Sequence, residues 1–231
     1  MNPRAKNAKG AARRERILDA LRDAIVRDGV DGVRMRAFAQ DCGVAVATLY
    51  NQFGSRDALI AAALERDFRG RYEPLSQGSA DASPAEQVSR RILQAAHDIR
   101  QMREYTASVL GFYFRPDVDP MLRAVVHDFV ANDFRGIVDH IADDGDLVDW
   151  VDRDMFADDL VTMLYAISLT WVQTQIPPTA LETRLLRAGA TAFCGISTGA
   201  TRERFEALAR NVGSEDQPHA AAAASRPAMR P

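Results

Sequence analysis

Residues 34–53 read RMRAFAQDCGVAVATLYNQF, and this stretch decides the fold. Phe38 and Ala39 share the inner face of a short helix, about Arg34 to Asp41, and Leu49 and Phe53 that of a second, about Val46 to Gln52. Cys42-Gly43-Val44 joins them in a tight turn, where a backbone conformation free of Cβ strain calls for glycine. Two short helices joined in this way form a helix-turn-helix, whose second helix is shaped to enter a DNA major groove.

Upstream, a helix from about Ala11 to Arg27 places Ile17, Leu21, Ala24 and Ile25 at helical spacing on one face, and Gly29 ends it. Arg4, Lys6, Lys9, Arg13, Arg14 and Arg16 precede its first apolar residue, so residues 1–12 read as a basic, flexible arm. Downstream, Ser55 caps a fourth helix carrying Leu59, Ile60, Ala63, Leu64 and Phe68 to about Arg71. Charge follows the same division. Residues 1–72 hold 14 Lys and Arg against 9 Asp and Glu, while the remainder holds 15 against 23, so only the N-terminal part has the sign to meet a polyanion.

The run Gly43-Val44-x-x-x-Thr48-Leu49-Tyr50-x-x-Phe53-x-Ser55-Arg56-x-x-Leu59 resembles the TetR family of transcriptional repressors, a likeness confined to about residues 13–68. It implies an all-α protein: an N-terminal three-helix helix-turn-helix domain (13–72), then a C-terminal helical bundle with a ligand pocket and a dimer interface (83–211). It also implies a reading surface of Arg34, Arg36, Ala45, Val46, Ala47, Thr48, Tyr50, Asn51, Gln52 and Arg56. Tyr50 and Thr48 carry hydroxyls suited to phosphate or base contact, with a packed ring and a helix-start role as their respective alternatives. Arg36 either pairs with a guanine or is a solvated charge. Arg56 resembles the family's phosphate anchor. Relatives often carry hydroxyl residues where this chain has Arg34 and Ala45, which removes two helix caps worth roughly 1 kcal/mol each.

Residues 73–83 read as a polar loop between the domains. Ser83, Pro84 and Glu86 then form a capping box for a helix that buries Val88, Ile92, Ala95, Ile99 and Met102 and leaves His97 exposed. An aromatic helix follows, about Glu104 to Phe114, then one from Pro120 to about Ala142 on which Asp133 and His140 are either exposed or turned to a cavity. A helix at about Asp152 to Gln175 is apolar nearly all round, and Thr179 with Glu182 suggests a capping box for the next, which carries small Ala188, Gly189, Ala192 and Gly195. The family likeness makes these two helices the homodimer contact. Arg202 to Arg210 forms a last amphipathic piece, and residues 212–231, rich in Ala and Pro, are expected to be disordered.

A pocket of Tyr105, Phe112, Tyr113, Phe129, Asp133, Met163 and Trp171 is expected to take a small, mainly apolar effector. The acidic residues at 143–154 do not match calcium-loop spacing, and neither a cofactor nor a metal site is expected. The sequence contains no run of about 18 apolar residues, no signal segment and no cysteine pair at ligand spacing, which together imply a cytoplasmic protein with free thiols and no membrane contact. The expectation is thus a ligand-responsive repressor that binds a palindromic double-stranded DNA operator as a dimer. A DNA-binding regulator without a small-molecule effector is the alternative. An all-helical enzyme is disfavoured, because no nucleophile–base pair or phosphate-binding glycine loop is present.

Overall fold

The computed structural model describes residues 3–77, 82–174 and 177–212. The described residues form ten helices and one isolated antiparallel bridge, Leu147 to Ser197. The first four are α1 (Pro3–Gly32), α2 (Met35–Asp41), α3 (Val46–Phe53) and α4 (Arg56–Gln77). The rest are α5 (Pro84–Gln101), α6 (Arg103–Tyr113), α7 (Pro120–Asp143), α8 (Arg153–Gln173), α9 (Pro178–Ile196) and α10 (Gly199–Asn211).

Two cores divide the chain. The first gathers Ile17, Leu21 and Ile25 of α1, Phe38 of α2, Leu49 of α3 and Leu59, Ile60 and Leu64 of α4, all buried. The second joins α5, α7, α8, α9 and α10 around Phe193, on which Phe205 stacks at 5.1 Å between ring centroids. The aromatic helix α6 closes the first core from outside. Tyr105, Val109, Phe112 and Tyr113 are buried there, and α6 packs across α1. Most of its aromatic surface therefore serves the seam between the two halves.

Several boundaries differ from the sequence reading. The stretch expected as a flexible arm is helical from Pro3, since its alanines, lysines and arginines are strong helix formers. Gly29 (φ 73°, ψ 167°) then interrupts α1 where the sequence places its end. α4, which packs along α7, continues to Gln77 into the expected loop. The Ser83 capping box forms as expected, Ser83 N donating to Glu86 at 2.8 Å. α9 starts at Pro178 with Pro177 as its N-cap, and Glu182 pairs with Arg100 at 2.6 Å, while the Thr179 side chain of the expected second box lies outside the described residues. His97 is exposed, whereas His140 meets Gln87 at 2.9 Å. The expected tail lies outside the described residues beyond Val212.

α8 is the one described helix long and apolar enough to cross a membrane by length and composition, with a mean hydropathy of 1.3 over its most apolar window. It is packed between α7 and α9 and against α6, yet only 39% of that window is buried. Thr162, Ala166 and Thr170 remain exposed along it, as do Arg187, Thr191 and Gly195 along α9. The small residues of α9 divide by neighbour. A Cβ on Gly189 would strike Ile92 of α5, so Gly189 serves packing within the chain, while Gly195 faces open space.

The seam is pinned by one carboxylate. Ile60, Ala63, Leu64 and Asp67 follow helical spacing, so Asp67 lies on the buried stripe of α4 with a side chain only 3% exposed. Arg22 of α1 grips it with two hydrogen bonds of 3.0 and 3.3 Å, and the Tyr105 hydroxyl of α6 donates to it at 2.9 Å. Burial on its own raises the Asp67 carboxyl, but the Arg22 hydrogen bond and charge, helped by Tyr105 and Arg71, outweigh it and hold the group below the usual carboxylate range. Burial and the same carboxylate push the Tyr105 hydroxyl up, so it stays a donor.

Because the folded-state value is depressed, this stabilisation is present above the unfolded carboxyl value of about 3.9 and disappears as pH falls through the folded one. Replacing Asp67 with Asn should cost about 2 kcal/mol at pH 7, the worth of hydrogen bonds to a buried charge. Urea unfolding of both proteins from pH 7 down to pH 3 measures this, and the gap between them is expected to narrow toward the acid end.

Candidate nucleic-acid interface and ligand cavity

Gly43 takes φ 64° in the turn, and its amide donates to the Gln40 carbonyl at 3.0 Å, so the chain turns tightly between α2 and α3. Leu49, fully buried, anchors α3 to the domain. The opposite side of α3 is open: Ala45, Ala47, Tyr50 and Asn51 are exposed, and Thr48 half so. Tyr50 is 47% exposed, so its ring is not buried in the core. Arg34 and Arg36 flank this face, also exposed. Neither Arg34 nor Ala45 makes a side-chain cap, so α2 and α3 start with the orphan amides that the sequence foretold.

Three expected contributors lie otherwise. Val46 is half-buried against the N-terminal core rather than turned outward. Gln52 is half-buried, with a buried Oε1 that has no hydrogen-bond partner. Arg56 turns away from the reading face. Its Nε donates to the Val33 carbonyl at 2.9 Å and its Nη2 to the Val30 carbonyl at 2.5 Å, while Nη1 pairs with Asp57. These carbonyls lie where α1 ends at Gly32 and α2 has yet to begin, so they lack helical partners, and the Arg56 guanidinium supplies them. Arg14, from the basic N-terminal segment, stacks over Phe53 at 4.8 Å, whereas Arg13 and Arg16 are exposed.

A mainly apolar cavity, partly open to solvent, lies where α4 to α9 converge. Phe68, Ile92, Ile99, Val109, Leu110 and Val130 provide much of its apolar wall. Of the seven expected pocket residues only Tyr105 and Asp133 line it. Asp133, left open between solvent and cavity, is 14% exposed and pairs with Arg91 at 2.6 Å. Phe112 and Tyr113 belong to the seam, Tyr113 lying edge-on to Tyr165 at 5.3 Å. Phe129 stands behind the wall, 6.4 Å from Phe68. Trp171 closes the end of α8, with Arg103 over its ring at 4.8 Å and its indole nitrogen donating to Pro177. Met163 packs at the edge of the second core.

Arg71, Arg91 and Asp98 also line the cavity and were missed. The signal existed. Asp67 lies seven residues after Ile60 on an apolar stripe, and Arg91 falls between Val88 and Ile92. Charges on buried stripes need partners and mark a seam or a site.

Residues 17–63 match the family model described as bacterial regulatory proteins, tetR family. The HTH-type transcriptional repressor KstR of Rhodococcus jostii (strain RHA1) is 43% identical over 67 residues, which is 27% of this chain and 32% of that protein. The chain thus matches about a third of that repressor's length. A crystal structure from Rhodococcus sp. assigned to the TetR family superposes with a TM-score of 0.64 at 21% identity, covering 78% of this chain and 97% of that one. The regulator FadR of Bacillus subtilis, solved in complex with stearoyl-CoA, gives 0.63 at 16% identity over 76% and 96%. These two show the shared fold.

Arg56→Ala is expected to lower stability by about 2 kcal/mol, since two carbonyls lose a charged donor. Chemical denaturation checks this, and an unchanged midpoint would return Arg56 to the list of free phosphate ligands.

Proposed function

From an N-terminal domain of the tetR family, we propose that the chain works as a cytoplasmic, dimeric transcriptional repressor that leaves its palindromic operator when a small, mainly apolar molecule enters the cavity. One observation carries the reading: the buried Asp67 is shared by the helix bracing the reading head, through Arg22, and by the cavity wall, through Tyr105. A ligand that shifts α6 or the end of α4 therefore acts on α1 through a contact that cannot simply stretch. Filling the cavity would favour one placement of the heads over another by its differential affinity for the two. The repressor name of the Rhodococcus relative and the stearoyl-CoA bound to the FadR neighbour support, respectively, the direction of control and the apolar ligand.

On DNA, Arg36, Thr48, Tyr50 and Asn51 would face the major groove, with Ala45 and Ala47 close to its floor, and Arg34, Arg13 and Arg16 near phosphates. Ala45 and Ala47 read only shape or thymine methyl groups. Two heads on one DNA face need a separation of about 34–36 Å, or a multiple of it. The open faces of α8 and α9 supply the pairing surface, in which Gly195 would allow close approach.

Gel retardation on DNA fragments flanking the coding region, with any inverted repeat they carry as the target, tests the reading. Tyr50→Ala should weaken binding about tenfold, as loss of one specific contact does. Binding should also fall steeply between 50 and 200 mM salt as counterions are released. A variant with full affinity, or salt-insensitive binding, would remove the proposed interface. Sedimentation at micromolar concentration should give a dimer, and a monomer would exclude the α8–α9 pairing.

A further inference from the structure

We propose that the cavity takes an apolar molecule bearing a single carboxylate, and that Arg71 holds that carboxylate. This rests on the reading of the cavity as an effector site and adds the chemistry of the effector. Most polar side chains on the wall already have partners. Tyr105 donates to Asp67 at 2.9 Å, Tyr165 to the Val126 carbonyl at 2.7 Å and Ser168 to the Leu164 carbonyl at 2.8 Å, while Arg91 and Asp133 neutralise each other at 2.6 Å. Two lining residues differ: Arg71 Nη2 and Asp98 Oδ2 are buried atoms with no hydrogen bond among the described residues.

Charge decides between a neutral and an anionic ligand. Asp67 carries one negative charge and faces three guanidinium groups, Arg22 at 3.0 Å, Arg66 at 3.4 Å and Arg71 at 3.6 Å. Arg22 takes the short bonds, and Arg66 is further compensated by Glu15 at 3.2 Å and Asp19 at 2.9 Å. Arg71 is left with the longest contact and with the ring of Tyr105 at 5.8 Å. Its side chain is 21% exposed and sits in an apolar wall, where an under-compensated cation is costly. A carboxylate matches the planar fork of its donors and supplies the missing charge, which a neutral hydroxyl does not. Asp98 argues against a second anionic group, because its free Oδ2 repels one and accepts from a ligand hydroxyl or amine. Drawing Arg71 toward the ligand also loosens its contact with Asp67, so the carboxylate acts at the seam itself.

The test compares octanoate and 4-phenylbutyrate with their primary amides, which have the same shape and no charge, on the full chain by calorimetry and thermal shift. Each acid is expected to bind about tenfold more tightly than its amide and to raise Tm further. Arg71→Met should abolish that preference, while Arg71→Lys keeps part of it, and the Tm of each unliganded variant reports whether it folds. Equal affinity for acid and amide, no stabilisation by either acid, or a preference that survives in folded Arg71→Met or Arg71→Gln would overturn the proposal. Gel retardation on the same preparations separates the two readings. DNA binding without acid preference sinks the carboxylate alone, whereas acid preference without DNA binding sinks the regulator.

Discussion

A carboxylate buried among helices from both halves of the chain is the constraint to which the rest of the structure answers. Removing Asp67 from water costs several kcal/mol, recovered only if donors arrive with good geometry from outside α4. Arg22 and Tyr105 come from α1 and α6, so three helices are held to one relative placement by two charged or polar side chains and an acid. Apolar contacts alone would let α6 slide on α1 at little cost. The ion pair gives that seam a preferred register, and a seam with a register can have a second one, as a molecular switch requires.

Around this point the aromatic residues take a different part from the one their composition suggests. Phe112 and Tyr113 are buried against the N-terminal core, and Trp171 is used at the end of α8. The cavity is instead walled by aliphatic residues with Phe68, Tyr105, Phe134 and Tyr165 among them, and its polarity is concentrated in a few charged groups. An apolar cavity with two polar atoms unmatched among the described residues would select its ligand, because one lacking the matching group leaves each of them unpaired.

Much of the reading head was legible in the chain. Phe38, Gly43 and Leu49 have the spacing of a helix-turn-helix and occupy those positions, and the missing caps at Arg34 and Ala45 are as bare as their side chains imply. Arg56 was not legible. Its position in the motif suggests a phosphate ligand, but the end of α1 leaves the Val30 and Val33 carbonyls open and the Arg56 guanidinium from α4 donates to both. The pocket was less legible still, since Phe129 and Met163 differ from Phe68 and Val130 in which helix they face, and periodicity does not number the neighbours.

By itself the sequence determined what depends on near neighbours: the helices, the glycine turn, the Ser83 capping box and the sign of charge in each half. These follow from backbone sterics, local hydrogen bonds and apolar period, which act over a few residues. Only the tertiary structure decided which charges meet. Arg22 and Asp67 are 45 residues apart and Tyr105 a further 38, and no local rule links them. Their pairing follows from the packing of α1, α4 and α6, and from the high cost of leaving a charge unpaired once that packing has excluded water.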